Sequence, residues 1–212
     1  MPEAPRLMDN DERMHRKHMK TVLIISVLIC ALAAHTQPKA YSKDKLCHAA
    51  IALTNQRVTY DAAYTTIPYP NGDVAPDKGV CTDVVIRAYR MLGVDLQKLV
   101  HEDMAGNFSK YPRDWNAKQP DKNIDHRRVP NLMTFFARKG RVLAITPNAA
   151  DYNSGDIVTW DLGGGTTHIG IVIDQKSADG SGCLIVHNIG NGQEISDCLF
   201  KFKIIGHYRY LV

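Results

Sequence analysis

Three segments carry apolar side chains at the three- and four-residue spacing of an amphipathic helix. The first runs from about Ser42 to Gln56, and its buried stripe comprises Cys47, Ala50, Ile51 and Thr54. The second opens at Cys81 and ends at Gly93, a residue type common at helix C-termini; its apolar face comprises Val84, Val85, Ala88, Tyr89 and Leu92. A shorter helix is predicted over 130–139, with proline at its first position and glycine after its last.

After Gly140 the pattern changes to short β-branched runs separated by Gly, Asn and Asp turns. Four strands are predicted: Asp156–Trp160, His168–Asp174, Leu184–Asn188 and Lys201–Leu211, the last broken at Gly206. Helices followed by a meander of strands predict an α+β fold, in which N-terminal helices pack against one face of an antiparallel sheet.

The N-terminal region is typical of an export signal. Residues Thr21 to Ala34 form an apolar run that is short for a membrane span, basic residues precede it, and small residues at its end offer a cleavage site. We therefore predict a signal peptide over 19–34 and an exported, periplasmic chain 35–212, unless an uncleaved signal anchors it. Residues 1–18 are either an over-extended start or the cytoplasmic tail of such an anchor.

The predicted mature chain, 35–212, has the length of a single domain, and no internal repeat interrupts it. Residues 95–129 differ from the rest because they are polar and too long for a plain connection. This insertion either forms a lid or wall for a substrate, or it is a solvated surface segment. It carries Trp115 and the charged run Asp125-His126-Arg127-Arg128.

Charge and cysteine content narrow the choice of partners and of compartment. The net charge of +4 comes from 26 basic and 22 acidic residues spread along the chain, and no basic run interleaves with aromatic residues. A nucleic-acid partner is therefore not predicted. The predicted mature chain contains Cys47, Cys81, Cys183 and Cys198, in a compartment that permits disulfides. If Cys81 stays free, the favoured pair is Cys183 with Cys198.

Three residues have the chemistry of a nucleophile, a base and an orienting group. Cys81 stands where a glycine turn gives way to a helix, and the unpaired N–H groups there favour a thiolate. The alternative is that Cys81 is only a small buried hydrophobe. His168 opens a strand after a glycine-rich turn, and His187 ends the next strand. If the two strands pair across a turn around Gly180, His187 lies beside His168, which would take the thiol proton.

This set of motifs resembles the NlpC-type and related papain-like cell-wall cysteine peptidases. The resemblance rests, in order over roughly residues 60–190, on Pro68-Tyr69, a cysteine opening a helix, GDIVTW at 155–160, HIGIV at 168–172 and LIVH at 184–187. The chain is also identified as a member of a bacterial family known as domain of unknown function 1287. Stretches like YPNGDV, GVCTDVVIRAYR, NIDHRRVPNL, GDIVTW and HNIG recur in that family.

The resemblance implies a papain-like fold with Cys81 as nucleophile, His168 as general base and His187 as the orienting third residue. It also implies that Tyr69 lines the oxyanion side, together with the backbone N–H of Cys81. Two departures limit what carries over: Val-Cys-Thr-Asp replaces the usual Asp-Cys-Ser-Gly, and the insertion is foreign to the minimal domain. Asp83 is expected to interact favourably with the helix N-terminus.

The leading hypothesis is an exported cysteine hydrolase that cleaves an amide or peptide bond in peptidoglycan stem peptides through an acyl-enzyme, with no cofactor. Peptidoglycan or its peptide fragments are the expected partner, with no nucleic acid and no stable membrane partner beyond the signal segment. Weaker candidates for substrate contacts are Trp115, His126, Arg127 and Arg128, since guanidinium groups suit the carboxylates of a wall peptide. The alternatives are a non-catalytic cell-wall-binding module and a zinc site at Cys81, His168 and His187.

Overall fold

Four α-helices lie in the part of the chain that the computed structural model describes, residues 43–180 and 182–210. They are α1 (Lys43–Leu53), α2 (Cys81–Met91), α3 (Leu96–Asn107) and α4 (Val129–Lys139). None of the helices described is long and apolar enough to cross a membrane. The predicted signal peptide at 19–34 and the segment 1–18 fall outside the described residues.

The same residues contain eight β-strands. They are β1 (Thr59–Tyr60), β2 (Lys78–Gly79), β3 (Arg141–Val142), β4 (Ile157–Asp161), β5 (Thr167–Lys176), β6 (Cys183–His187), β7 (Glu194–Ser196) and β8 (Lys203–Arg209). The last six form one sheet in the order β3-β8-β4-β5-β6-β7, and each neighbouring pair is antiparallel. Strands β1 and β2 pair in parallel, and β2 leads directly into α2.

The helices cover one face of the sheet. Apolar side chains of all four helices form a single buried cluster with Ile157, Ile169, Ile171 and Ile173 of β4 and β5. On the opposite face Trp160, Val172 and Ile185 pack against residues outside the strands, among them Tyr152 and Leu199. The prediction of an α+β fold with helices and an antiparallel sheet is therefore confirmed.

The insertion at 95–129 begins with a helix that the sequence analysis missed. The side chain of Asp95 caps α3 by accepting a hydrogen bond from the backbone N–H of Lys98 at 3.2 Å. The apolar stripe of α3 includes Leu96, Val100 and Met104. Two polar residues of this helix, Gln97 and Asp103, are also buried. Because two polar residues lie on its inward face, α3 lacks a clear amphipathic pattern and its sequence resembles that of a polar loop.

The expected disulfide between Cys183 and Cys198 is wrong, since the four cysteines of the described residues are free thiols. Cys183 Sγ accepts a hydrogen bond from Lys176 Nζ at 3.2 Å. Cys198 Sγ lies 3.6 Å from Nε2 of His187. Each of the two thiols is therefore held by a different polar partner.

Candidate active site

A buried ion pair fixes the start of helix α2 at Cys81. Val80 is extended, and its backbone N–H donates to Oδ2 of Asp83 at 2.7 Å. Arg127 holds the same carboxylate with two hydrogen bonds, Nε to Oδ1 and Nη2 to Oδ2, both 2.9 Å long. Each side chain is only 3% exposed. The expected interaction of Asp83 with the helix N-terminus is confirmed, and Arg127 ties the end of the insertion to that turn.

The thiol of Cys81 is buried at the first position of α2, with 5% of the residue exposed. Burial raises its pKa to about 12, against the opposing effect of the Ile169 backbone N–H, and the charge of Asp83 raises the pKa further. The helix start does stabilise a thiolate, through the N–H groups of Thr82 and Cys81. Because burial outweighs these donors, the resting group is a neutral thiol.

His168 and His187 form a buried pair across strands β5 and β6. The register pairs Ile171 with Val186, which places His187 opposite Gly170 and diagonal to His168. Nε2 of His168 lies 3.0 Å from Nδ1 of His187, and the two rings meet edge to face. The predicted adjacency of these histidines is therefore present, as a diagonal rather than a direct pair.

Glycine at position 170 makes this diagonal contact possible. A Cβ added there would lie 3.2 Å from the Cβ of His187 and 2.6 Å from Cγ2 of Ile185. Both distances are shorter than ordinary van der Waals contact. The missing side chain therefore leaves the space through which the ring of His187 reaches His168.

Both imidazoles are held in the neutral form. Burial lowers the pKa of His168 to about 3, and a charge on His187 would lower it further. Burial also lowers the pKa of His187, against the opposing effect of Glu194. The indole of Trp160 packs against the His168 ring with centroids 5.7 Å apart. The resting site therefore combines a neutral thiol with a neutral histidine pair.

The thiol lies near the strand that carries His168, since the backbone N–H of Ile169 is among the groups that lower the pKa of Cys81. No hydrogen bond joins Cys81 Sγ to the His168 ring within residues 43–180 and 182–210. Since Nε2 of His168 faces His187, Nδ1 is the nitrogen left to receive a thiol proton. Catalytic contacts of this kind are often long in a free enzyme and tighten when substrate binds.

Strand β7 supplies polar groups that the sequence analysis missed. Ser196 Oγ lies 2.5 Å from His187 Nε2, and Glu194 Oε1 lies 3.9 Å from the same atom. Strand β7 is only three residues long and lacks an alternating apolar pattern. The turn Gly190-Asn191-Gly192, one residue beyond the third predicted strand, is a hairpin signal that could have located it.

The structure places Tyr60, rather than Tyr69, in electrostatic range of the thiol. Tyr60 is 43% exposed; partial burial of its hydroxyl raises its pKa, and the charge of a Cys81 thiolate would raise it further. Tyr69 packs edge to face on His101, and Lys122 Nζ lies 5.7 Å from its ring centroid. No hydrogen bond or ring contact in the described residues joins Tyr69 to the thiol or to the histidine pair. Tyr60 is therefore available for the role that the family resemblance implied for Tyr69.

Of the four weaker candidates of the insertion, His126 and Arg127 are buried, Arg128 is partly buried and Trp115 is exposed. Arg127 is engaged by Asp83, and burial lowers the pKa of His126 to about 3, with a further contribution from Arg127. Arg128 Cζ lies 4.2 Å from the ring centroid of Trp115, which is 56% exposed. Arg128 Nη1 also lies 3.6 Å from Asp125 Oδ1, and its side chain is 20% exposed. Trp115 is thus the member of this set most open to a ligand, with the Arg128 guanidinium partly exposed beside it.

An open polar cleft of about 510 Å³ is lined by residues 54–59, Asp77 and residues 191–193. It includes Thr59, the neighbour of Tyr60, but not the thiol or the histidine pair. The described residues contain no cluster of three or more His, Cys, Asp or Glu side chains suited to a metal ion.

The fold and the site together define the class of protein: an α+β domain that carries a cysteine at a helix start and a histidine pair on adjacent strands. The chain belongs to the family described as a domain of unknown function (DUF1287), whose model matches residues 47–210. This confirms the family predicted from the motifs. The chain is 45% identical over 205 residues to "Uncharacterized protein YijF" of Escherichia coli (strain K12), covering 92% of this chain and 100% of that protein. No solved structure matches the chain.

Proposed function

We propose that the protein is an exported cysteine hydrolase that cleaves an amide or peptide bond in peptidoglycan stem peptides. The observation that carries the proposal is the 3.0 Å contact between His168 on β5 and His187 on β6. The residue after His168, Ile169, supports it, because its backbone N–H lowers the pKa of the Cys81 thiol. A helix-start cysteine, an imidazole and a polar third group are the components of thiol-based nucleophilic catalysis. A papain-like, NlpC-type fold is part of the proposal, and helices on one face of an antiparallel sheet agree with it.

In the first half-reaction Cys81 Sγ attacks the carbonyl carbon of the scissile bond while its proton passes to Nδ1 of His168. The new S–C bond leaves an oxyanion, which the backbone N–H of Cys81 and the Tyr60 hydroxyl would stabilise. His168 then returns the proton to the amine nitrogen as the C–N bond breaks, and a thioester remains. Throughout, His187 accepts the hydrogen bond from His168 Nε2–H and stabilises the imidazolium.

In the second half-reaction a water molecule attacks the thioester carbon and gives one proton to His168 Nδ1. The S–C bond then breaks, the proton returns to Sγ, and a carboxylic acid leaves. With the thiol pKa raised to about 12 and the imidazole pKa lowered to about 3, proton transfer in the free protein is strongly unfavourable. The mechanism therefore requires substrate to align the ring with the thiol and to bring the oxyanion donors into use.

Two features support the choice of substrate and compartment. The apolar segment Thr21–Ala34, with basic residues before it and small residues at its end, supports export to the periplasm. The exposed ring of Trp115 and the partly exposed guanidinium of Arg128 offer an aromatic face and a cation for the carboxylate of a stem peptide. Hydrolysis of this kind needs no metal or organic cofactor.

The test is digestion of purified peptidoglycan by the purified protein, with fragments identified by mass. Wild type should release new fragments, and Cys81→Ala and Cys81→Ser should release none. Cys47→Ala is the matched control, since it removes a second buried cysteine in α1, away from the histidine pair. Fragments that persist in both Cys81 variants, or none from wild type, would overturn the proposal.

One observation favours a second candidate, a non-catalytic cell-wall-binding module. The thiol is buried and neutral, whereas Trp115, which packs on Arg128, is 56% exposed. This candidate predicts that Cys81→Ala still sediments with peptidoglycan and that Trp115→Ala does not. If Trp115→Ala still sediments with peptidoglycan as Cys81→Ala does, this candidate is contradicted.

A further inference from the structure

The outer end of the histidine pair contacts strand β7 through a single strong partner. Nε2 of His187 lies 2.5 Å from Ser196 Oγ, whereas Cys198 Sγ and Glu194 Oε1 are 3.6 Å and 3.9 Å away. Sulfur is a weak hydrogen-bond acceptor, and 3.9 Å exceeds hydrogen-bond length. The serine hydroxyl is therefore the group that decides what the second nitrogen of His187 does.

We propose that Ser196 is a positioning residue that sets the tautomer of His187, and through it the tautomer of His168. This inference rests on the proposed function, in which His168 Nδ1 must be free of hydrogen to accept the thiol proton. Ser196 contacts neither Cys81 nor a reacting atom, so its effect is transmitted through the two rings.

The hydrogen-bonded contacts link the tautomers of His168 and His187 to the role of Ser196. A neutral His168 that accepts a proton at Nδ1 carries its hydrogen on Nε2 and donates it to Nδ1 of His187. His187 then has its own hydrogen on Nε2 and needs an acceptor there. Ser196 Oγ is that acceptor. If His187 instead carried its hydrogen on Nδ1, His168 would carry its hydrogen on Nδ1 and could not act as a base.

The groups around Ser196 favour the hydrogen-bond direction in which His187 Nε2–H donates to Ser196 Oγ. Burial raises the pKa of the Cys198 thiol, and the Ser196 side chain opposes this effect as a hydrogen-bonding partner. The serine hydroxyl can therefore donate to that sulfur and keep its lone pairs for His187. The carboxylate of Glu194, which lies opposite His187 in the sheet, also favours hydrogen on the nearer nitrogen, Nε2. The resulting relay runs from His168 through His187 and Ser196 to Cys198.

The test compares Ser196→Thr with Ser196→Val in the full chain. Threonine and valine have nearly the same shape and both suit a strand, so the pair differs essentially by the hydroxyl. Histidine nitrogen NMR signals, assigned with His168→Gln and His187→Gln, report which ring nitrogen carries hydrogen. Wild type and Ser196→Thr should show hydrogen on Nε2 of both rings. Ser196→Val should show a mixture of tautomers at an unchanged melting temperature.

Activity provides a second measurement. With peptidoglycan fragments as substrate, Ser196→Val should lower kcat/KM about tenfold through kcat, the loss expected for one hydrogen bond, and Ser196→Thr should stay within about twofold. A valine variant with the wild-type tautomers would overturn the inference. If wild type releases no fragments while the tautomers respond as described, the proposed substrate is wrong and the positioning role of Ser196 stands.

Discussion

Cys81 should react with iodoacetamide much more slowly in the folded protein than in the unfolded chain. Burial raises the thiol pKa from 9.0 to about 12. Near pH 8 the thiolate fraction of Cys81 is therefore about a thousandfold lower in the folded protein than in the unfolded chain. A thiolate of higher pKa is a better nucleophile, with a Brønsted slope of about 0.4–0.5, which restores a factor of about 16 to 30. The net expectation is a rate about thirty- to sixtyfold lower, before any effect of limited access.

The assay is peptide-resolved mass spectrometry of alkylation between pH 7 and pH 10.5, with the same protein unfolded in urea as the control. The logarithm of the folded rate should rise with unit slope throughout, while the unfolded rate should level off near pH 9. A folded rate that levels off below pH 9, or that exceeds the unfolded rate, would refute the reasoning. It would mean that the N–H groups at the helix start outweigh burial and that the resting group is a thiolate.

Two further predictions concern stability. Gly170→Ala should destabilise the protein by about 1–3 kcal/mol in urea unfolding, because the new Cβ would lie 2.6 Å from Ile185 Cγ2. The control is Gly182→Ala, which should be close to neutral because the atoms nearest to its new Cβ lie at 3.8–3.9 Å. Arg138, through its hydrogen bond, holds the pKa of Asp103 below its usual range, so this carboxylate contributes stability above about pH 4 and loses it on acidification. Asp103→Asn should therefore cost about 1–3 kcal/mol at pH 7 and progressively less as the pH falls toward 2.5, and a constant difference across that range would contradict the assignment.

Local patterns in the sequence predicted the elements that carry the proposed chemistry. The helix starting at Cys81 and the strands around His168 and His187 were visible because their apolar residues follow a clear period and glycine turns bound them. The pairing of β5 with β6 followed from their order in the chain. These features depend on neighbours in sequence, which a single chain displays directly.

The parts that escaped prediction depend on contacts between residues distant in sequence. Arg127 is 44 residues from Asp83, and nothing local shows that its guanidinium is buried against that carboxylate rather than free for a ligand. Tyr60 approaches the thiol only because β1 pairs with β2. Ser196 meets His187 because β7 folds back on β6. In each case tertiary structure selects among several residues of the same chemical type.

The Asp83–Arg127 pair also determines which parts of the molecule can move independently. Separating a buried, doubly hydrogen-bonded pair costs about 3–5 kcal/mol, so conformers without it make up about one molecule in a hundred or fewer. The turn that presents Cys81 and the end of the segment 95–129 therefore move together as one body. Tyr60 belongs to the same body, because Arg127 Nη2 donates to the carbonyl of Asp61 at 3.2 Å and β1 pairs with β2. Any widening of the site for a bulky polymer would have to occur on the rim formed by the loop 189–192. Crosslinks that restrain that rim should impair entry of long substrates more than short ones.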